Sequence, residues 1–288
     1  MAAESFARLL IRCADQPGLV AAVTGFLYQH GANITELDQH STDPSGGLFF
    51  MRLEFQTPKS GLSRQALEQA FREAVGQRFA MNWHISYAAD RPRMAVLASA
   101  HDHAALELLW RWQRGELRVD IPCVISNHAI LRGAVEAFGV PFHHVPQDSP
   151  EQRAAAESRI LDLLGDRGDF LVLARYMRIL GPAFVARYPS RIINIHHSFL
   201  PAFVGADPYR QAYERGVKII GATAHYVTAE LDQGPIIAQD TAHVSHSDEI
   251  EDLRRLGRDL ERTVLARAVR WHVEDRIIVD GNKTIVFD

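Results

Sequence analysis

Two hydrophobic patterns follow one another along this chain, and they require two kinds of sheet. In the first ninety or so residues apolar and polar positions alternate, as where Leu53 lies between Arg52 and Glu54 in the segment 48–56. Alternation is typical of antiparallel strands with one solvated face. Beyond residue 93 the strands become short apolar runs such as Met94–Ala98, typical of a parallel sheet covered on both faces. A length of 288 residues, at about 150 per domain, also predicts two domains.

The first domain reads as two helices set among four strands. Strands are predicted over 6–13, 33–41, 48–56 and 79–87, and helices over 19–30 and 63–76. Asp15–Gly18 is a turn signal before the first helix, and Gly31 follows that helix where a C-capping glycine belongs. The order βαββαβ is that of a ferredoxin-like fold. We therefore predict such a domain over residues 1–88, followed by a linker at 89–93.

The second domain, residues 94–288, alternates short strands with helices. Strands are predicted over 94–98, 121–126, 141–145, 170–174 and 192–196, and helices over 104–114, 131–138 and 151–164. This order predicts a doubly wound, mostly parallel sheet, so the chain belongs to the α/β class. A long helix over 248–274 follows, whose charges are expected to face solvent, and a strand pair over 276–279 and 283–287 ends the chain.

Composition excludes several classes of partner. Lys and Arg number 31 against 35 Asp and Glu, and this net charge of −4 favours neither nucleic-acid nor membrane-surface binding. The most apolar long stretch, 170–186, is broken by Arg175 and Pro182 and cannot span a bilayer, and no signal peptide is visible. The two cysteines, Cys13 and Cys123, are far apart and fit a reducing compartment, so we expect a cytoplasmic protein.

Histidine is abundant, with 14 copies, but its spacing does not predict a metal site. His101 and His103 have no carboxylate or thiolate companion at ligand spacing. The phosphate loop, the G-x-G-x-x-G turn after the first strand of the second domain and the G-x-S-x-G elbow are also absent from the sequence. We therefore expect no metal, and neither a nucleotide-dependent enzyme nor a serine hydrolase.

The residues that suggest chemistry lie between 192 and 239. The strand 192–196 delivers Asn194 and His196 to its carboxyl end, where open α/β sheets bind ligands, and strand alternation points both side chains the same way. Asp232 lies in a tight loop with Gly234. Asn, His and Asp converging in one cleft suit attack on a carbonyl by water or an amine, because they can stabilise an oxyanion, move a proton and orient the nucleophile.

A structural interpretation of the same residues stays open on spacing alone. An Asn at a strand end commonly caps a turn, and His and Asp are common in loops. Ser198 is expected to be a turn or cap residue rather than a nucleophile. His225 and Tyr226, on an apolar segment, are expected in the core or in the wall of the cleft.

Three runs of the second domain resemble a known family. NIHHSFLP (194–201), LDQGP (231–235) and MRIL (177–180) match the patterns N-I-H-x-S-x-L-P, L-D-x-G-P and M-R-I-L of formyltransferases that use 10-formyltetrahydrofolate. The first domain resembles an ACT domain, with DQPG (15–18) before its helix and GANI (31–34) after it. An ACT domain joined to a formyltransferase domain, across the whole chain, resembles the formyltetrahydrofolate deformylases.

This resemblance implies a role for individual residues. The family's catalytic residues fall on Asn194, His196 and Asp232. The substrate would be bound by residues of the three runs, namely Arg178, Ile179, Leu180, His197, Ser198, Gln233 and Gly234. In the ACT domain, Asp15, Gly18 and Asn33 would form a regulatory site for an amino-acid effector, and pairing of ACT domains would make the protein a homo-oligomer.

The implied reaction is hydrolysis of a C–N bond: 10-formyltetrahydrofolate and water give formate and tetrahydrofolate. It supplies formate for purine synthesis and balances one-carbon pools, with the folate as substrate and no cofactor. Asp207 and Arg210 depart from the family pattern, which has a basic residue and a histidine there, and their effect stays open.

Two other functions remain as alternatives: transfer of the formyl group to an amine, and amino-acid sensing without catalysis. Transferases that act on a phosphorylated amine bind it with a glycine-rich loop. The corresponding loop here, Ser99–His103, has no glycine, and His197 replaces the transferase proline. Both differences favour water as the acceptor.

Overall fold

The computed structural model describes residues 6–43, 46–57, 63–201 and 208–288. The chain divides into two units. The first runs to Arg91 and includes Asp275–Ile278 and Ile285–Asp288, and the second contains Pro92–Glu274 and Val279–Thr284. Within the described ranges, no helix is both long enough and apolar enough to cross a membrane.

The first unit has the predicted βαββαβ order. Its elements are β1 (Phe6–Ala14), α1 (Leu19–Gln29), β2 (Asn33–Ser41), β3 (Leu48–Gln56), α2 (Arg64–Phe71) and β4 (Asn82–Tyr87). The strands form one antiparallel sheet in the order β2-β3-β1-β4. After α2 the chain makes a π-helical turn and passes Ala80 at a φ of +48°, so β4 begins three residues later than its hydrophobic pattern predicts.

One strand of this sheet departs from simple alternation. On β1 every second residue is buried, but β3 buries five consecutive residues from Phe49 to Leu53, among them Arg52. One face of the sheet packs on α1 and α2, while Phe50 packs with Ile278 and Phe287 on the other. The chain's last residues therefore cover the face that the sequence predicted to be solvated.

The second unit holds a seven-stranded sheet. Its strands are β5 (Met94–Ala98), β6 (Val124–Ser126), β7 (Phe142–His144), β8 (Phe170–Ala174), β9 (Ile192–His196), β10 (Ile219–Tyr226) and β11 (Ile236–His243). Their order is β11-β10-β9-β8-β5-β6-β7. Strands β5 to β9 pair in parallel and β10 pairs antiparallel with both neighbours, which confirms the mostly parallel sheet. Strands β10 and β11 were not predicted from the sequence.

Helices α3 to α8 belong to this second unit. They are α3 (His103–Gln113), α4 (Arg132–Glu136), α5 (Pro150–Leu164), α6 (Pro182–Val185), α7 (Pro208–Arg215) and α8 (Ile250–Val273). Ser149 and Gln152 form a capping box at the start of α5, as a serine three residues before a glutamine predicts. The last two strands, β12 (Ile277–Asp280) and β13 (Lys283–Val286), form the predicted terminal pair.

Strand order determines where this unit can bind a ligand. From β5 the chain moves outward to β6 and β7, then returns to β8 on the other side of β5 and continues to β9. The direction of winding reverses between β5 and β8, and open α/β sheets bind ligands at the carboxyl ends of strands beside such a switch point. Strands β5 and β8 are fully buried, so this edge rests on a rigid core.

Candidate active site

A cleft of about 370 Å³ opens at the carboxyl ends of β8 and β9. Three segments line it: the residues that follow β8, the end of β9, and the loop between β10 and β11. The lining residues that bear on chemistry are Arg175, Arg178, Asn194, His196, His197, His225 and Asp232. The three predicted catalytic residues are therefore brought together in one cleft.

Asn194 is oriented by a histidine on the neighbouring strand. Strands β9 and β10 pair with Asn194 opposite His225, so the two side chains share a face. His225 Nδ1 donates to the Tyr226 carbonyl at 3.0 Å, which leaves its Nε2 to accept a hydrogen bond from Asn194 Nδ2 at 3.1 Å. The amide nitrogen of Asn194 therefore points into the cleft with one further N–H to donate.

His196 faces Asp232 across the cleft. Its Nδ1 lies 3.3 Å from Asp232 Oδ2, and the imidazole is 7% exposed. Its Nε2 is buried and has no hydrogen-bond partner among the residues that the structure describes. The ring is thus held by one nitrogen and offers the other to a ligand.

Asp232 also approaches His225, with 3.6 Å between Oδ1 and Nε2. Hydrogen bonding from His196 lowers the pKa of this carboxyl well below its ordinary value, against the effect of burial. The residue adopts a φ of +55°, and a Cβ at Gly234 would overlap the Tyr226 carbonyl. The strained backbone of Asp232 and the close approach of the chain at Gly234, where a side chain would not fit, together place the carboxylate in the cleft.

His225 is a site residue that the sequence did not single out. The apolar run around it predicted core or cleft wall, and it is buried at 1% exposure, yet it contacts both Asn194 and Asp232. A β-bulge in the pairing with β11 falls between Ala224 and His225. Bulges near active sites re-aim side chains. The signal available in sequence was a polar residue at an alternating position of an otherwise apolar strand.

The predicted substrate-binding residues divide into two sets. Those that line the cleft are Arg178, Ile179, Leu180 and His197. Ser198, Gln233 and Gly234 are not among the lining residues. Ser198 is buried, and its carbonyl accepts a hydrogen bond from Thr223 at 2.9 Å, as befits a turn residue.

Behind the cleft lies a buried charged cluster that the sequence did not predict. Glu261 of α8 is 1% exposed, and it accepts hydrogen bonds from Tyr209 at 2.6 Å and from His103 at 2.7 Å. Arg175 Nε lies 3.4 Å from the same carboxylate. Burial alone would raise the pKa of Glu261, but His103 and Arg175 hold it below its ordinary value. The expectation that the charges of this helix face solvent is therefore wrong at Glu261, because α3 and α7 pack over it.

The ring of His197 lies between the rings of His196 and Tyr209. Its ring centroid is 5.1 Å from that of His196 and 6.2 Å from that of Tyr209. Burial, the charge of Arg175 and the charge of His196 lower the pKa of His197 to about 4. The ring is therefore neutral at pH 7.

The structure does not bring the predicted regulatory residues together within the first unit. Asp15 and Gly18 follow the end of β1, whereas Asn33 begins β2 at the opposite end of the sheet, where β1 also begins. Asp15 accepts a hydrogen bond from Ser41 at 2.6 Å, Gly18 precedes α1 at a φ of +95°, and Asn33 is exposed at the start of β2. A separate groove of about 980 Å³ runs beside β4 and α2 and is lined by none of the three. Asp207 lies outside the described residues, and Arg210 is exposed on α7.

The comparisons with known proteins agree with this geometry. Residues 92–269 match the model of the formyl transferase family and residues 7–72 that of the ACT domain. The formyltetrahydrofolate deformylase of Bacillus subtilis (strain 168) is 52% identical over 286 residues, which cover 99% of this chain and 95% of that protein. That of Synechocystis sp. is 51% identical over 282 residues, 98% of each chain.

Solved structures extend the agreement to the fold. The crystal structure of a formyltetrahydrofolate deformylase from Pseudomonas syringae pv. tomato matches with a TM-score of 0.93 and 49% identity, over 98% of this chain and 94% of that one. Glycinamide ribonucleotide transformylase 1 from Symbiobacterium toebii matches with a TM-score of 0.65 and 33% identity, over 69% of this chain and 95% of that one. The chain is thus a member of the formyltetrahydrofolate deformylase family, an α/β protein with an ACT domain before a formyl transferase domain.

Proposed function

We propose that this protein hydrolyses 10-formyltetrahydrofolate to formate and tetrahydrofolate. The observation that carries the proposal is the convergence of Asn194, His196 and Asp232 on one cleft, in a chain that matches deformylases over nearly its whole length. Neither serine nor cysteine is among the described residues that line this cleft. Direct attack by water therefore explains the site better than a covalent intermediate does.

Each of the three residues has a task in this reaction. The lowered pKa of Asp232 keeps it charged at neutral pH, so it can orient the water by accepting a hydrogen bond and take up the proton as the C–O bond forms. The second N–H of Asn194 donates to the oxygen of the formyl group as that oxygen becomes negative. Nε2 of His196, which has no partner among the described residues, adds a second hydrogen bond to that oxygen.

The bond changes follow from these positions. The water oxygen bonds to the formyl carbon, the bond from that carbon to N10 breaks, and N10 leaves with a proton. The contact between Asp232 and His196 provides a path for that proton. Formate and tetrahydrofolate are the products.

The rim of the cleft suits a flat aromatic ring. Ile179 and Leu231 are 73% and 58% exposed on two of its walls. Exposed apolar side chains at the mouth of a pocket mark a surface that a ligand covers. We place the pterin of the folate between these walls, against the backbone of Arg178–Leu180.

A formate-release assay tests this function. The purified protein, supplied with 10-formyltetrahydrofolate and no amine, should release one formate for each tetrahydrofolate, measured with a coupled formate dehydrogenase. A parallel reaction with glycinamide ribonucleotide tests the transferase alternative. Strict dependence on the amine would refute hydrolysis.

We further propose that the ACT domain binds an amino acid and drives self-association. We place the protein in the cytoplasm, where Cys13 and Cys123 would stay reduced. Light scattering should report an oligomer, and at least one amino acid should change the rate of formate release. An Asp15→Ala, Asn33→Ala double variant should lose that response while keeping its basal rate. A monomer whose rate no amino acid alters would contradict this proposal.

A further inference from the structure

The guanidinium of Arg175 borders the reaction cleft with hydrogen-bonding capacity unused. Arg175 follows β8 directly, lines the cleft and is 9% exposed. Its Nε and Nη1 are buried without a hydrogen-bond partner in the described part of the chain. Buried charged donors without partners destabilise a folded protein, so they point to a ligand that completes them.

The backbone at Arg175 carries a second cost. Its φ is +59°, in the left-handed region that a side chain disfavours and glycine adopts freely. Stability alone would favour glycine at this position. Strained backbone of this kind is found at functional sites, where the side chain is needed in one place.

Glu261 balances the charge of Arg175 without using up its donors. The two groups are 3.4 Å apart, close enough for an ion pair, but the Nε–H is not aligned for a hydrogen bond. The carboxylate already accepts from Tyr209 and His103. The charge of the guanidinium is thus balanced, while its Nε–H and Nη1–H remain without an acceptor among the described residues.

We propose that Arg175 binds the carboxylate of the formate product, an inference that rests on the proposed hydrolysis. A planar guanidinium matches a carboxylate in shape and charge better than it matches a neutral formyl group. Nε2 of His196, which is also buried and unpartnered among the described residues, lines the same cleft. The two groups together form a site for a one-carbon carboxylate.

The charge appears in the course of the reaction. Water's oxygen bonds to the formyl carbon, the C–N10 electron pair goes to N10, and N10 takes one proton. The second proton of the water leaves the new carboxylic acid for solvent. The two oxygens of formate then share one negative charge, and Arg175 binds this carboxylate.

Product inhibition tests the site in the full-length protein. Rates of tetrahydrofolate formation are measured against sodium formate, with sodium chloride keeping the ionic strength constant. In Arg175→Gly, which the backbone favours, the inhibition constant of formate should rise at least about tenfold. Arg175→Lys keeps the charge without the planar guanidinium. Its inhibition constant for formate should lie between those of the wild type and Arg175→Gly.

A matched control removes an arginine elsewhere. Arg262 is partly exposed on α8 beside Glu261 in sequence and pairs with Asp259 at 2.5 Å. Arg262→Ala should leave inhibition by formate unchanged. Two results would overturn the proposal: unchanged formate inhibition in a folded Arg175→Gly protein, or no inhibition of the wild type up to about 100 mM formate. Failure of the proposed function is a separate result, since the wild type would then release no formate without an amine.

Discussion

Asp232 is the residue whose charge the site depends on most directly. Its carboxylate approaches His196 and His225, and hydrogen bonding from His196 lowers its pKa. Asp232→Asn keeps the shape of the side chain but cannot accept a proton from water. We expect kcat to fall by about 10² or more with little change in KM, measured by formate release. A variant that turns over at nearly the wild-type rate would exclude Asp232 as the group that activates water.

His225 acts through Asn194 and is a positioning residue. Its Nε2 accepts the hydrogen bond that sets the direction of the Asn194 amide. His225→Leu should lower kcat by roughly 10- to 100-fold, since small misplacements of a catalytic group have effects of this size. His225→Gln, whose side-chain oxygen also accepts a hydrogen bond, should recover part of the loss. Equal losses in the two variants would mean that His225 serves packing alone.

At the scale of one element, a glycine of α8 leaves room for the tyrosine that hydrogen-bonds to the buried Glu261. A Cβ on Gly257 would overlap the hydroxyl of Tyr209, which reaches over this glycine to Glu261 one turn later. Gly257→Ala should therefore displace Tyr209 and destabilise the protein by about 1–3 kcal/mol, in spite of alanine's better helix propensity. The free energy of unfolding in urea measures this change.

The same glycine-to-alanine substitution in another helix should not lower the free energy of unfolding. Gly25 lies within α1, and a Cβ there meets nothing within 4 Å. Gly25→Ala should leave the free energy of unfolding unchanged or raise it by up to about 1 kcal/mol. Similar effects of the two substitutions would show that propensity, and not contact with Tyr209, governs Gly257.

At the scale of the whole molecule, two histidines make stability depend on pH. Burial, and then the charge of Arg175 in one case and of Arg191 in the other, lower the pKa values of His197 and His272 from 6.5 to about 4. Above pH 6.5 both rings are neutral in the folded and the unfolded chain. Between pH 6.5 and 4 only the unfolded chain takes up the protons, so stability falls as the pH falls.

Urea unfolding at pH 7.5 and pH 5 should therefore give a lower midpoint in acid. His272→Gln removes one titrating ring, and its amide can still bond to the Tyr226 hydroxyl, which lies 2.8 Å from His272 Nδ1. The variant should lose less stability between the two pH values than the wild type does. His246→Gln, on an exposed loop, should lose as much as the wild type. The same loss in all three proteins would assign the pH dependence to other groups.

Local patterns were sufficient for most of the fold. Period-two and continuous apolar strands separated the two sheets, and the capping residue Gly31 located the end of α1. The strands β10 and β11 were harder to predict, because polar residues such as Thr223 and His225 interrupt their apolar pattern while being buried in the fold. Arg52 was misjudged for a related reason: residues more than two hundred positions later cover its face of the sheet.

The sequence by itself determined the two domains, most of their elements and the three residues that meet in the cleft, since strand alternation and short motifs are local properties. Only the tertiary structure decided that His225 orients Asn194 and that Glu261 balances Arg175. Those contacts join β9 to β10 and β8 to α8, elements brought together by packing. The local sequence pattern predicts the face on which a side chain lies, but it does not predict which side chain, distant in sequence, contacts it in the folded protein.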